Sequence, residues 1–277
     1  MSDPSLSRFN LTLSGQPDAE TTLLFVNGLG TDQSVWHQVT PAFQDDYRLI
    51  LFDNVGSVES SQDAFRSRLS RYLNVSGYAE DLLEIGSALK LSRNTVVIGH
   101  SLGAMAALLA SIQRPAQFSR LVLLGMSPRY ANIEGYEGGF SQADIRETYT
   151  QLTNDYASWT KAVSAAAMGN PHRPHLARSF AETIARVPRD LMLTVLCSVL
   201  QMDHRAALSD VSVPVLLLQS QNDFFVPLGV AQYLQTNIRN SRLTMIDAAG
   251  HLPHVSTPQA VVGAIRDFLS DTPETSD

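Results

Sequence analysis

Cysteine is nearly absent from this chain of 277 residues, which contains one, Cys197. An internal disulfide is therefore excluded, and a reducing compartment, the cytoplasm, is the expected location. No stretch approaches the roughly eighteen consecutive apolar residues of a membrane-spanning helix, so we expect none. Residues 1–15 lack a basic segment followed by an apolar one, and we expect no secretory signal there.

Positive charge is also scarce. The chain has 20 lysine and arginine residues against 27 acidic ones, a formal net charge of −7, and its basic residues form no run. Nucleic acids and anionic membranes are bound through clustered positive charge, so we expect neither as a partner. The 44% of hydrophobic residues is enough for a large buried core, so a folded globular protein is expected.

What the sequence does contain is a series of short apolar segments. Most are continuously apolar, which is typical of strands covered on both faces in a parallel sheet. Residues 8–15 alternate instead and indicate an antiparallel edge strand. Helical periodicity between the strands completes the predicted fold class, a doubly wound, mostly parallel α/β sheet. The predicted strands lie at 21–28, 47–54, 95–100, 118–126, 213–223 and 241–251, and helices at 76–90, 104–113 and 258–270.

The alternation of strands and helices stops after residue 126. Residues 141–169, 174–187 and 188–203 have helical patterns with no strand between them. We predict that this insertion is a lid over the carboxyl edge of the sheet, where open α/β sheets bind ligands; the alternative is a helical subdomain that completes the core. The predicted division is a core domain at 1–126 and 208–270, a lid at 127–207 and a disordered acidic tail at 271–277.

A candidate nucleophile lies at the end of the third predicted parallel strand. Residues 99–103 read GHSLG, with the apolar TVVI directly before them and a buried helix directly after. A G-x-S-x-G motif in this context is a nucleophile elbow, in which a sharp turn exposes the serine at the sheet edge. Ser101 is therefore the predicted nucleophile. The alternative is a glycine-rich turn in which the serine is incidental.

A serine hydroxyl needs a base, and the base needs an acid to orient it. Asp223 follows the predicted strand VPVLLL and His251 follows LTMI, which matches the chain order serine, acid, histidine. The alternatives are a turn aspartate and a loop histidine. The turn NGLG at 27–30 predicts an oxyanion hole made by the backbone N–H groups of Leu29 and Leu102.

No metal or cofactor is expected. The turn NGLG lacks the third glycine and the later acidic residue of a dinucleotide site. The H-x-x-H pairs at 172–175 and 251–254 have no third ligand at a metal-binding interval.

Several further segments make the sequence similar to the α/β-hydrolase superfamily. Within it, the chain resembles the RsbQ-type bacterial hydrolases and the plant karrikin and strigolactone receptors. The stretches that carry the likeness include NGLGTDQSVWHQVTPAF, GHSLGAMAALLASIQRP, MSPRY, DHR and GHLPH. The resemblance implies the triad Ser101, Asp223 and His251, the oxyanion hole above, and a four-helix, V-shaped lid over an apolar pocket. Candidate pocket residues are Phe140, Trp159, Phe224 and Val226.

The resemblance also implies a function. We expect a serine hydrolase that cleaves a small apolar ester or a butenolide-like lactone, acting as a monomer or weak homodimer. One alternative is a ligand-sensing signalling protein with slow turnover that recruits a protein partner. Another is a cofactor-free haloperoxidase or C–C hydrolase. The chain departs from the family at Val58 and Glu59, where a glycine is usual.

Overall fold

A computed structural model describes residues 4–271 of the chain. Apart from Asp271, the predicted acidic tail lies outside the described residues. The strands form one seven-stranded sheet with the order β1-β3-β2-β4-β5-β6-β7. They are Thr12–Gly15 (β1), Thr22–Val26 (β2), Arg48–Leu51 (β3), Thr95–His100 (β4), Arg120–Leu124 (β5), Val215–Asn222 (β6) and Ser241–Ala249 (β7).

The sheet is parallel except at one edge. Strand β1 pairs antiparallel with β3, and every other pairing is parallel. The carboxyl ends of β2 to β7 therefore lie along one edge of the sheet. The predicted fold class, a mostly parallel α/β sheet, is confirmed. The edge strand predicted at 8–15 is present as β1 over Thr12–Gly15 only, because Pro4–Phe9 form a 3₁₀ helix.

The strands are continuously apolar because both faces of the sheet are covered. In β2, Leu24 and Val26 belong to one apolar core, while Leu23 and Phe25 belong to a second core on the opposite face. The helices Ser76–Ala88 (α3) and Leu102–Gln113 (α4) contribute to the first core, and Pro258–Ser270 (α11) contributes to the second. The helices are Gln62–Ser67 (α1), Leu69–Tyr72 (α2), Ser76–Ala88 (α3), Leu102–Gln113 (α4), Gln142–Asn154 (α5), Tyr156–Met168 (α6), Pro174–Ala185 (α7), Arg189–Leu200 (α8), Leu228–Asn237 (α9), Pro253–Ser256 (α10) and Pro258–Ser270 (α11).

The insertion between β5 and β6 contains four helices, α5 to α8. The residues predicted as helical over 141–169 form two of these helices, which meet at Asp155. The Asp155 backbone is not helical, and its carboxylate accepts a hydrogen bond from Ser158 N at 3.0 Å. An aspartate whose side chain caps the next helix starts a new helix at that point. Helices α1, α2, α9 and α10 were not predicted.

The segment in which the sequence departs from the family forms an ordered turn. Val58 has extended backbone angles, and a short 3₁₀ helix starts at Glu59. The Ser61 hydroxyl accepts a hydrogen bond from Gly56 N at 2.9 Å and donates one to Val58 O at 3.0 Å. Neither Val58 nor Glu59 has a positive φ, so the turn does not require a glycine at these positions.

Across residues 4–271, no helix is both long enough and apolar enough to cross a membrane.

Candidate active site

Ser101 lies on a sharp turn between β4 and α4. Its φ is 52° and its ψ is −116°, a backbone conformation that costs about 1–3 kcal/mol for a residue with a side chain. Glycine on either side allows the close packing that holds this turn. A Cβ on Gly99 would lie 2.8 Å from Ala104 N, and one on Gly103 would overlap the carbonyl oxygen of Asn27. The turn therefore has the geometry of a nucleophile elbow.

His251 and Asp223 are joined by a short hydrogen bond. The distance between His251 Nδ1 and Asp223 Oδ2 is 2.8 Å, and both side chains are buried, with exposures of 8% and 1%. A carboxylate accepts, so Nδ1 carries a proton in this bond and Nε2 of a neutral imidazole has a free lone pair. His251 therefore has the tautomer of a base that takes a proton at Nε2.

The Asp223 carboxylate is fixed by further donors. Its Oδ1 accepts hydrogen bonds from Phe225 N at 2.8 Å and Val226 N at 3.2 Å, and its Oδ2 accepts a third from Gln219 Nε2 at 3.3 Å. Two backbone amides and an amide side chain thus set its orientation. Gln219 was not predicted to lie at the site. The signal that could have identified it is its position four residues before Asp223, near the end of the same predicted strand.

The backbone of His251 is tied to the helical insertion. His251 N donates to Ala167 O at 2.6 Å, and Gly250 N donates to Asn222 O at 2.7 Å. Gly250 has a φ of 91°, and a Cβ there would overlap the carbonyl oxygen of Met168. The loop that carries His251 therefore requires glycine at 250, and it joins the end of β7 to α6.

Two further buried histidines lie beside His251. The rings of His100 and His251 are 4.8 Å apart, and those of His100 and His254 are 4.6 Å apart. His254 also stacks on Trp36 at 4.5 Å. Burial lowers the pKa of His254 to about 3 and that of His100 well below its usual value, with the neighbouring histidines adding to both shifts. Both rings are neutral, and His254 was not predicted to lie at the site.

The side chain of Ser101 has an unpredicted neighbour. Its Oγ lies 3.5 Å from the hydroxyl oxygen of Tyr130. In the described part of the chain, Ser101 and His251 form no hydrogen bond with each other, although both line the same cavity. Tyr130 lies in the loop that follows the carboxyl end of β5, so the sequence indicates its edge of the sheet but not its contact with Ser101.

The turn predicted as an oxyanion hole is held by Asn27. Its amide Nδ2 donates to Phe52 O at 2.7 Å, and its Oδ1 accepts from Trp36 Nε1 at 2.8 Å. Among residues 4–271, the backbone N–H groups of Leu29 and Leu102 donate no hydrogen bond. Both are therefore available as donors to a ligand, and Leu29 lines the cavity that Ser101 lines.

The cavity above Ser101 has a volume of about 480 Å³. Phe140, Trp159 and Phe224 line it, and Phe224 is 61% exposed. The prediction for Val226 was wrong: it is buried in the first apolar core and does not line the cavity, whereas its neighbour Phe225 does. The turn that directs the backbone N–H of Val226 to Asp223 places the Phe225 ring against His251, with 5.2 Å between ring centres.

The electrostatic character of the cavity follows from its lining. Lysine and arginine are absent among the described residues that form its wall, while Asp144 and Glu147 of α5 are present. No group of three or more histidine, cysteine, aspartate or glutamate side chains within residues 4–271 is arranged to hold a metal ion.

Comparisons with known proteins show which family the chain is similar to. A family model described as the alpha/beta hydrolase family matches residues 23–264. The strigolactone esterase RMS3 of Pisum sativum is 37% identical over 272 residues, which are 98% of this chain and 100% of that protein. The karrikin insensitive 2 receptor CA of Petunia hybrida is 35% identical over 244 residues, 88% of this chain and 89% of the receptor. A solved hydrolase structure from Oleispira antarctica matches with a TM-score of 0.92 at 29% identity, covering 97% of both chains. The resemblance inferred from the sequence is confirmed.

Proposed function

The chain belongs to the alpha/beta hydrolase family, and we propose that it is a serine hydrolase that cleaves a small apolar carboxylic ester or lactone. The observation that carries this proposal is the hydrogen bond of 2.8 Å between His251 Nδ1 and Asp223 Oδ2, in a histidine that lines one cavity with Ser101. A buried imidazole with this tautomer, beside a serine on a strained elbow, is suited to nucleophilic catalysis.

The reaction uses the three side chains in sequence. Ser101 Oγ attacks the carbonyl carbon while its proton moves to His251 Nε2, and that proton then passes to the leaving alcohol or enolate oxygen. Water attacks the resulting acyl-enzyme in the same way. Asp223 holds the imidazole and stabilises its charged form. In the free protein Ser101 Oγ lies 3.5 Å from the Tyr130 hydroxyl oxygen, and the mechanism requires it to turn towards His251 Nε2.

The negative charge that develops on the substrate carbonyl oxygen needs donors that are already in place. The N–H groups of Leu29 and Leu102 are our candidates, because both are unpaired among the described residues. Leu102 begins α4 at the elbow, and Gly28, next to Leu29, packs against His100 and Ser101 there. Each such donor contributes roughly 3 kcal/mol to the barrier reduction.

The substrate class follows from the cavity. A volume of about 480 Å³ with a mostly apolar wall suits a small ester or lactone. Because lysine and arginine are absent among its described lining residues, a substrate carboxylate has no cation to pair with there. A neutral substrate is therefore favoured over an anionic one.

We further propose that residues 127–207 are a lid. Trp159 of α6, Phe180 of α7 and Met192 of α8 all line the cavity, and the backbone of His251 is bonded to α6. Movement of these helices would therefore change the contacts of both the substrate and the proposed base, His251.

A chain with one cysteine has no internal disulfide to form, and we propose the reducing cytoplasm as its compartment.

A ligand-sensing role is the second candidate. The observation that favours it is the similarity to a karrikin insensitive 2 receptor of Petunia hybrida over 88% of the chain. In that case the lid, once a ligand is bound, would present a surface to a protein partner, and turnover would be slow.

One experiment tests the hydrolase and separates the two roles. We expect Ser101→Ala to remain folded and to lose hydrolysis of p-nitrophenyl acetate and of a simple butenolide. Steady-state turnover and ligand-dependent shifts in Tm are measured together. Rapid turnover on one ester supports the enzyme, while slow turnover with a large Tm shift supports the sensor. Unchanged hydrolysis by folded Ser101→Ala protein would contradict the proposed mechanism.

A further inference from the structure

Tyr130 occupies a position that packing alone does not explain. It is buried, with 3% of its surface exposed, and it lines the cavity together with Ser101 and His251. Its ring packs edge-on against Phe140 with 6.3 Å between ring centres, and its carbonyl accepts a hydrogen bond from Phe140 N at 3.1 Å. The ring is therefore held in place with its hydroxyl at the nucleophile.

The hydroxyl of Tyr130 contributes little to the stability of the free protein. Its hydrogen-bond partner in the described part of the chain is Ser101 Oγ, at 3.5 Å, which is the long limit for such a bond. Burying a hydroxyl with so weak a bond is unfavourable. Phenylalanine would pack against Phe140 equally well without that cost. A role for the hydroxyl during the reaction therefore explains its presence better than a role in stability.

The chemistry of the Tyr130 hydroxyl and Ser101 Oγ indicates what this role is. When His251 removes the proton from Ser101, negative charge develops on Oγ, and a hydrogen bond to a charged oxygen is shorter and stronger than one to a neutral hydroxyl. Catalytic hydrogen bonds that are long in a free enzyme tighten in this way as the reaction proceeds. Burial raises the pKa of Tyr130 above its ordinary value, so the phenol stays protonated and acts as a donor.

We propose that Tyr130 is a further catalytic residue, whose hydroxyl donates a hydrogen bond to Ser101 Oγ while that oxygen is negatively charged. This inference rests on the proposed function, because it requires Ser101 to be the nucleophile. In acylation the Oγ proton moves to His251 Nε2 and the bond from Oγ to the carbonyl carbon forms. In deacylation His251 Nε2 takes a proton from the attacking water, and that proton passes to Oγ as the bond from Oγ to the acyl carbon breaks. Tyr130 keeps its own proton throughout.

The test compares Tyr130→Phe with a matched control, Tyr136→Phe. Tyr136 is also buried, but its hydroxyl donates to Arg129 O at 3.1 Å and it does not line the cavity. We expect Tyr130→Phe to lower kcat for p-nitrophenyl acetate by about 10- to 100-fold, the usual effect of losing a hydrogen bond to a charged group. KM and Tm should change little, and Tyr136→Phe should keep the wild-type kcat.

A second variant keeps the shape of the tyrosine and changes its acidity. With 3,5-difluorotyrosine at position 130 the phenol is a stronger donor, and we expect kcat at or above the wild-type value. A Tyr130→Phe protein with at least half of the wild-type kcat would overturn the proposal. So would a variant whose loss lies in KM or Tm alone, or difluorotyrosine protein that is as slow as Tyr130→Phe.

Ser101→Ala is assayed in parallel so that the two proposals are separated. If Ser101→Ala is inactive and Tyr130→Phe is as fast as the wild type, the role of Tyr130 is wrong and the hydrolase proposal stands. If folded Ser101→Ala protein still hydrolyses the ester, the proposed function fails, whatever Tyr130→Phe does.

Discussion

The imidazole Nε2 of His100 lies 2.9 Å from the backbone carbonyl oxygen of His251. A carbonyl oxygen only accepts, so His100 carries its proton on Nε2. Burial keeps the ring neutral by lowering its pKa. The residue directly before the proposed nucleophile thus donates to the backbone of the proposed base, which ties the ends of β4 and β7 together.

Asp223 gives the most direct test of the His251 tautomer. We expect Asp223→Asn to lower kcat by about three to four orders of magnitude, because an amide in place of the carboxylate no longer fixes the proton on Nδ1. Ester hydrolysis with purified protein measures this, and circular dichroism checks the fold. Asp247→Asn is the control, since Asp247 is exposed on β7. A kcat within tenfold of the wild type would show that Asp223 does not orient the base.

Stability should depend on pH through His254. Its pKa is about 3 in the folded protein against an ordinary 6.5, so the folded state favours the neutral ring. The corresponding stability is present above about pH 6.5 and is lost as the pH falls towards 3, at about 1.4 kcal/mol per pH unit for one proton.

Urea unfolding of the wild type and His254→Gln between pH 6.5 and 4.5 measures this. The slope of the unfolding free energy against pH is set by the number of protons taken up on unfolding. We expect that number to be smaller by about one in the variant. Other groups titrate in this range, among them Asp81, whose pKa burial raises to about 7, but the difference between the two proteins removes their contribution. Parallel curves for the two proteins would mean that His254 is not held neutral.

Gly250 controls the loop that carries His251. We expect Gly250→Ala to destabilise the protein by about 2 kcal/mol or more, because the φ of 91° is strained for alanine and the new Cβ overlaps Met168 O. Activity should fall as well, since His251 follows directly. Gly263→Ala is the control: nothing lies within 4 Å of a Cβ there, and alanine inside α11 should stabilise by about 1 kcal/mol. Equal Tm values for the two variants would contradict this interpretation.

The chain length of the substrate should depend on Ala166. This residue of α6 lines the cavity, whereas its neighbour Ala165 is exposed and does not. We expect Ala166→Phe to lower kcat/KM for p-nitrophenyl hexanoate by about tenfold or more relative to the acetate, because the phenyl ring fills space that the longer acyl chain needs. Ala165→Phe should leave the ratio unchanged. The same ratio in both variants would place the acyl chain elsewhere.

The parts of the fold that were predictable are those with strong local patterns. Continuous apolar strands such as Thr95–His100 and the GHSLG turn after them were found because local sequence determines both. The break at Asp155 was missed because the apolar periodicity on either side of it is in phase with one long helix. Helix α9 was missed because half of it, around Leu228, is exposed and carries a weak pattern.

The site was predictable to the extent that each side chain follows its own strand. Asp223 and His251 were identified from strand ends, and the sheet order brings those ends together. The partners that depend on three-dimensional packing were not predictable in this way. Tyr130 meets Ser101 through the geometry of the loop after β5, and whether Phe225 or Val226 faces the cavity depends on one turn.

The central claim, that Ser101 is the nucleophile, is tested most directly by locating the acyl group. The protein is mixed with p-nitrophenyl acetate, quenched in acid during turnover, digested and examined by peptide mass spectrometry. We predict one acetyl group on the peptide that contains Ser101 in the wild type and none on that peptide in Ser101→Ala. Hydrolysis with no acetylated Ser101 at any quench time, or with the acetyl group on another residue, would contradict the account.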